Sequence, residues 1–316
     1  MKDRDGRPIK LEGNPEHPLS KGGLCAVGQA SILGLYDSRR MLHPLRDGKE
    51  SAWDEVDRNI TGKLEEIRKN GGAVRFLSDS IASPTTLANL NAFLGGFPNA
   101  RHIVYDPLSC SAIPDAYEHT HGMRLLPRFR FDRAEVVVSL DADFLGTWIS
   151  PVEYTAGYQT ARKLEANPPR FSYHVQLESR MSITGSKADE RIRIAPQELG
   201  LVVTQLAALL ASHAQIPFPI DGIQPPAVPR QALEKVAQRL WEAKGRSLVV
   251  CGSQDVSTQV LCNFINHLLE SYGATIDLKF PSHQRQGNDR ELQSLLEELR
   301  EGKIAALFIS GVNPVY

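Results

Sequence analysis

The chain has 316 residues, enough for one large or two ordinary domains with a buried core. Its 36 basic and 37 acidic residues nearly cancel, so no summed field draws it to nucleic acid or to an anionic lipid surface. Its longest apolar stretch, 199–211, is broken by Thr204 and Gln205 and falls short of the ~20 residues a membrane helix needs, so no direct membrane span is expected.

Residues Met1 to Asp5 hold no apolar run that would act as an export signal. Gly6 opens a short extended segment, Pro8 to Glu12. Gly13-Asn14-Pro15 then forces a turn, because glycine accepts positive φ and the residue before proline avoids the helical well. A second break at Gly22-Gly23 sets Cys25 on a loop ahead of an apolar helix start at 30–35. Further along, apolar spacing predicts helices over 51–69, 84–94, 152–164, 196–211, 230–243, 257–272 and 289–301. Between them it predicts strands over 73–77, 102–105, 135–140, 173–177, 248–251, 275–280 and 304–309.

Strands alternating with helices predict an α/β fold of two doubly wound parallel-sheet units, preceded by a short β-hairpin segment. Prolines at 217, 219, 225, 226 and 229 block both helix and central strand, which marks a linker. The expected division is a hairpin segment at 1–45, a first α/β domain at 46–216, the linker at 217–229 and a second α/β domain at 230–316. The second unit reads as truncated, because its last strand should feed another crossover and its sheet edge is left unpaired.

Few residues offer chemistry by identity alone. The four cysteines, at 25, 110, 251 and 262, share no C-x-x-C spacing, and Cys251 and Cys262 sit in apolar contexts that suit buried packing. Cys110 with His119 and His121 has the composition of a zinc-binding trio, but histidines two apart diverge on a strand and converge poorly on a helix. Asp141 and Asp143 share one side if they end a strand; they could bind a cation, or simply cap the segment that follows. G-x-G-x-x-G, H-E-x-x-H and G-x-S-x-G are absent. Gly185-Ser186-Lys187 lacks the first glycine of a phosphate loop, so an ATPase is excluded.

One set of motifs is more specific. Ile9, Glu12-Gly13-Asn14-Pro15, His17-Pro18, Leu24-Cys25, Gly28-Gln29-Ala30 and Leu35-Tyr36-Asp37 fall in order over thirty residues, roughly a tenth of the chain. Here the chain resembles the complex iron-sulfur molybdoenzymes, the molybdopterin oxidoreductases, where this run closes the iron-sulfur subdomain. Ser139 to Gly146, Glu178-Ser179, Thr184-Gly185 and Ala188-Asp189 draw it closest to one branch, the fused molybdopterin-like and iron-sulfur subunit of alternative complex III, a quinol-oxidising membrane assembly.

The resemblance implies a 4Fe-4S cluster, molybdenum and molybdopterin guanine dinucleotide in active relatives. It implies other subunits of a membrane redox complex as partners, on the periplasmic side, without nucleic acid. Cys25 falls at the place of the fourth cluster ligand, although the upstream C-x-x-C-x-x-x-C run is missing and Val27 replaces the family's lysine. Cys110 falls near the place of the molybdenum ligand. Gly311, Asn313 and Pro314 match one dinucleotide loop, whose counterpart is expected at Asp141-Ala142-Asp143; Gln197 replaces the glycine of a Pro-Gly-Thr-Asp turn. Acidic or bulkier residues at two of these places predict a chain that binds no cofactor itself and serves an oxidoreductase complex as a structural module. The alternative is a fragment of a catalytically active molybdenum bis-pterin-guanine-dinucleotide oxidoreductase.

Overall fold

The computed structural model describes residues 1–165, 168, 169 and 171–315. Strands Lys2–Arg4 (β1) and Arg7–Lys10 (β2) pair antiparallel around Asp5-Gly6, whose φ angles of 51° and 76° suit a tight hairpin turn. Helix Ala26–Ala30 (α1) runs into a 3₁₀ turn at Ser31–Leu35, and the Tyr36 hydroxyl donates to the Pro8 carbonyl at 2.7 Å. Strands Leu45–Arg46 (β3) and Lys49–Glu50 (β4) form a second small hairpin.

The main body follows in chain order as α2 (Trp53–Asn70), β5 (Ala73–Ser78), α3 (Pro84–Leu94), β6 (Ala100–Val104), α4 (Ala112–His121), β7 (Leu126–Phe129), β8 (Val136–Leu140), α5 (Pro151–Thr160), β9 (Tyr173–Glu178) and α6 (Ile183–Lys187). Then come β10 (Glu190–Arg193), α7 (Leu199–His213), α8 (Arg230–Glu242), β11 (Ser247–Cys251), α9 (Val256–Leu268), β12 (Ile276–Ser282), α10 (Asp289–Arg300) and β13 (Ile304–Ser310). Local signals explain several boundaries. Ser83 caps α3 by accepting from the Thr86 N–H, with Pro84 in the first turn, and Asp255 caps α9 by accepting from the Thr258 N–H at 2.7 Å.

Contacts divide the chain into two compact units. The first combines Met1–Glu12, Ala26–Ser109 and the residues from Gln286 onward; the second combines Gly13–Cys25 with Cys110–Arg285. In the first unit a parallel sheet runs in the order β13-β5-β6. Val74 packs with Leu90, Leu94 and Phe97 on one face, and Leu77 with Ile103 and Leu295 on the other. Arg75 is buried on β5 and donates through Nε and Nη2 to the Glu298 carboxylate at 2.8 and 3.0 Å, tying α10 to the sheet.

The second unit carries a parallel sheet in the order β10-β9-β8-β11. Val138, Leu140, Val175, Leu177 and Val249 face α7, α8 and α9 in one core, and Val137, Leu248 and Val250 face a second core rich in aromatic rings, including Phe131, Phe144, Tyr154 and Tyr158. Both faces are covered, as a doubly wound sheet requires. The antiparallel pair β7-β12 stands apart from it.

The α/β architecture is as expected, while the three strands expected within 230–316 do not share one sheet. β11 pairs with β8, β13 with β5 and β12 with β7. The compact units are therefore discontinuous, where contiguous domains at 46–216 and 230–316 were expected. The proline-rich 217–229 segment joins α7 to α8 inside the second unit, with Val228 buried in its core. Periodicity identifies a strand without naming the neighbour it pairs with. β7 and β10 were not predicted: each has four residues, one carries Pro127 and the other reads Glu-Arg-Ile-Arg. α4 was missed because Pro114 sits inside it. No described helix is long and apolar enough to cross a membrane.

Candidate functional site

In open parallel sheets, ligands sit outside the carboxyl ends of strands, where the strand order reverses direction. Each unit has one such place: between β5 and β13 in the first, and between β8 and β11 in the second. The two are built alike. The central strand runs into an aspartate, Asp79 or Asp141, and the outer strand into a glycine, Gly311 or Gly252. The structural counterpart of Gly311 is thus Gly252, and Asp141 corresponds to Asp79, which revises the expected match of the 311–314 loop to Asp141-Ala142-Asp143.

Both glycines are required by the protein's own atoms. A Cβ on Gly252 would lie 2.3 Å from the Asp141 carbonyl oxygen, and one on Gly311 would lie 2.8 Å from Asp79 Oδ1. Gly311 also holds φ at 70°, which favours glycine. Asn313 Oδ1 accepts from the Val315 N–H at 3.3 Å, so it braces its own turn. Asp141 holds a positive φ of 55°. Burial pushes its carboxyl above the ordinary carboxylate range and Glu178 adds to the rise, while the Ser179 N–H and Arg180 oppose it.

The motif residues beside Asp141 turn inward. Asp143 Oδ1 accepts from the Thr184 hydroxyl at 2.7 Å and from its N–H at 3.1 Å, and the Leu145 N–H donates to the Thr184 oxygen at 2.9 Å. Gly146 has no Cβ where one would lie 2.1 Å from Asp143 Oδ2. Glu178, buried, accepts from Arg191 Nε at 2.6 Å and from the Ser182 hydroxyl and N–H at 2.6 and 3.1 Å. Burial alone would raise its pKa, yet these donors hold it below the usual carboxylate range. Gly185 allows that packing, since a Cβ there would lie 1.9 Å from Glu178 Oε1.

A buried polar row extends along the same face of β9. His174 Nε2 meets Gln176 Oε1 at 3.2 Å, and Gln176 Nε2 donates to Glu178 Oε2 at 3.3 Å. His174 Nδ1 lies 3.2 Å from the Tyr158 hydroxyl. Burial pushes the pKa of His174 down to about 4, so it is neutral at pH 7. The Asp189 carboxylate accepts from the His174 N–H at 2.8 Å and pairs with Arg162 at 2.7 and 2.8 Å. Sequence reasoning missed this row. Its signal is His, Gln and Glu at alternate positions 174, 176 and 178, between the apolar Val175 and Leu177 that face the other core.

The remaining candidates are scattered. Cys25 is exposed and Cys110 is buried in the aromatic core of the second unit. His119 and His121 lie on α4, where His121 stacks on Tyr117 with ring centres 5.0 Å apart. Among the described residues no group of three or more His, Cys, Asp or Glu side chains is disposed to hold a metal ion. Burial pushes the Cys251 thiol up to about 12 and Cys262 well above its usual value, in keeping with packing roles. Gln197 lies in a 3₁₀ turn at Pro196–Glu198, where Glu198 Oε1 accepts from the Ala227 N–H at 2.7 Å.

The donor set suits a dianionic pyrophosphate poorly. Carboxylates stand at both strand-order reversals, while the hydroxyls of Ser182 and Thr184 are spent on Glu178 and Asp143.

No family model matches the chain. It is 25% identical over 274 residues to the menaquinone reductase molybdopterin-binding-like subunit of Nitratidesulfovibrio vulgaris, covering 79% of this chain and 38% of that one. It is 27% identical over 214 residues to a nitrate reductase of Klebsiella oxytoca, covering 65% and 24%. Acetylene hydratase from Pelobacter acetylenicus shares its fold with a TM-score of 0.59 over 83% of this chain and 40% of that one, at 12% identity. The chain thus spans well under half the length of these relatives. In sequence the chain is thus similar to molybdopterin oxidoreductase subunits, and in fold it is similar to acetylene hydratase.

Proposed function

We propose that the chain is a molybdopterin-oxidoreductase-like subunit of a quinol-oxidising membrane electron-transfer complex of the alternative complex III kind, on the periplasmic side. It acts there as a structural module and holds no molybdenum cofactor through these residues. The observation that carries this reading is the turned-in polar set around Glu178 and Asp143, together with Asp141 and Asp79 at the strand-order reversals. A pyrophosphate placed there would face carboxylates in place of open N–H donors. The menaquinone reductase relative, named as a molybdopterin-binding-like subunit, supports the placement in a quinone-linked complex.

A second reading is a fragment of an active bis-pterin-guanine-dinucleotide enzyme. It draws on the exposed residues Gly311, Asn313 and Pro314, which end the first unit's sheet as a dinucleotide loop would. The test is purification of the native assembly from its own membranes in mild detergent, with molybdenum assayed by elemental analysis and pterin by fluorescence after oxidation. Co-purifying redox subunits with substoichiometric molybdenum and pterin are expected. Stoichiometric amounts of both, bound to this chain, would establish the second reading instead.

A further inference from the structure

A cleft of about 100 Å³ opens in the second unit between the end of β7, α5 and the Gly13–Cys25 segment. A single water needs only ~10–15 Å³ of such space, so the cleft has room for a small oxyanion. Three cations line it, Lys21, Arg128 and Arg130, against two carboxylates, Asp132 and Glu153. The carboxylates consume only part of the available donors. Arg128 Nε donates to Glu153 Oε1 at 2.5 Å, and Arg130 gives Nε and Nη2 to Asp132 at 2.9 and 2.7 Å. A guanidinium has five N–H groups, so each arginine keeps donors in reserve.

Lys21 enters no ion pair among the described residues. Its backbone holds φ at 47°, with its N–H donated to the His17 carbonyl at 3.0 Å. The segment is pressed against α5: a Cβ on Gly23 would lie 2.7 Å from Val152 Cγ1. Tyr154 also lines the cleft, and its buried hydroxyl has no hydrogen-bond partner among the described residues. Leaving such a donor unmatched costs about 1–3 kcal/mol.

We propose that this cleft is an oxyanion site, taking a small phosphate or carboxylate whose oxygens accept from Lys21 and the unspent N–H groups of Arg128 and Arg130. The site has a net positive charge, planar forks suited to two-oxygen recognition and an apolar lining from Phe129 and Phe131. It is independent of the cofactor reading, since none of its residues lies at a strand-order reversal.

The full chain is titrated calorimetrically with inorganic phosphate and, separately, with acetate, each against chloride at matched ionic strength. Saturable binding of at least one is expected, and the tighter of the two identifies the ligand as a phosphoryl or a carboxylate compound. Lys21→Gln, at an exposed position, weakens binding about tenfold. Asp132→Asn, which releases the Arg130 donors, tightens it severalfold. No saturable heat beyond chloride, or affinity that Lys21→Gln leaves unchanged, would overturn the proposal; should Asp132→Asn not fold, Lys21→Gln decides alone.

Discussion

Among single residues, His174 carries the clearest consequence. It is fully buried between Tyr158 and Gln176, and its pKa falls from the ordinary 6.5 to about 4 because burial disfavours the charged ring. Between those two pH values the unfolded chain takes up a proton that the folded chain refuses. Stability is therefore lost as pH falls from 6.5 toward 4, by about 3 kcal/mol in all. Glu178 has the opposite starting point, a carboxylate held below 4.5, so its contribution is present above 4.5 and disappears only at lower pH. Urea midpoints measured from pH 7 to pH 4 should drop for the wild type and flatten in His174→Gln; an equally steep loss in the variant would show that another group titrates. The motif residues Glu178, Thr184 and Gly185 were visible in the sequence as a family signature. Their physical reason was not, because a carboxylate that binds a ligand and one that braces a loop look the same without coordinates.

Among the elements, the strand ends decide what the sheets can do. Gly252 follows β11 where a Cβ would meet the Asp141 carbonyl at 2.3 Å, and backbone cannot yield there as a flexible side chain would. Gly252→Ala is expected to cost about 2–3 kcal/mol in thermal or urea unfolding. Gly302→Ala, at φ 67° with nothing within 4 Å, should cost only about 1 kcal/mol from backbone strain. Equal losses would contradict the close approach of Gly252 to Asp141 at the ends of β11 and β8. Asp255, on the loop that follows, accepts from both the N–H and the hydroxyl of Thr258 at 2.7 Å; Asp255→Ala should remove about 1–2 kcal/mol through the lost cap of α9, read from the same unfolding curves. Helix 84–94 was predicted to the residue, since Ser83 and Pro84 mark its start. β12 was located by its apolar run, but its antiparallel partner β7 was not: pairing is a long-range choice that local pattern does not encode.

In the whole molecule, two sheets from discontinuous stretches of chain repeat one solution, a central strand ending in aspartate beside an outer strand ending in glycine. The parallel α/β class could be read from alternating periodicity. The division into units could not, because β11 and β13 are both short apolar strands that would fit either sheet. In open parallel sheets ligands sit at the carboxyl ends of strands, while in this chain those ends carry carboxylates and their neighbouring donors are spent internally. The most direct measurement is a density map of the native assembly at side-chain resolution. It should show Asp143 on Thr184, Glu178 on Arg191 and solvent or protein beside Asp141 and Gly252; a pterin dinucleotide with its pyrophosphate against Asp141 would contradict the account.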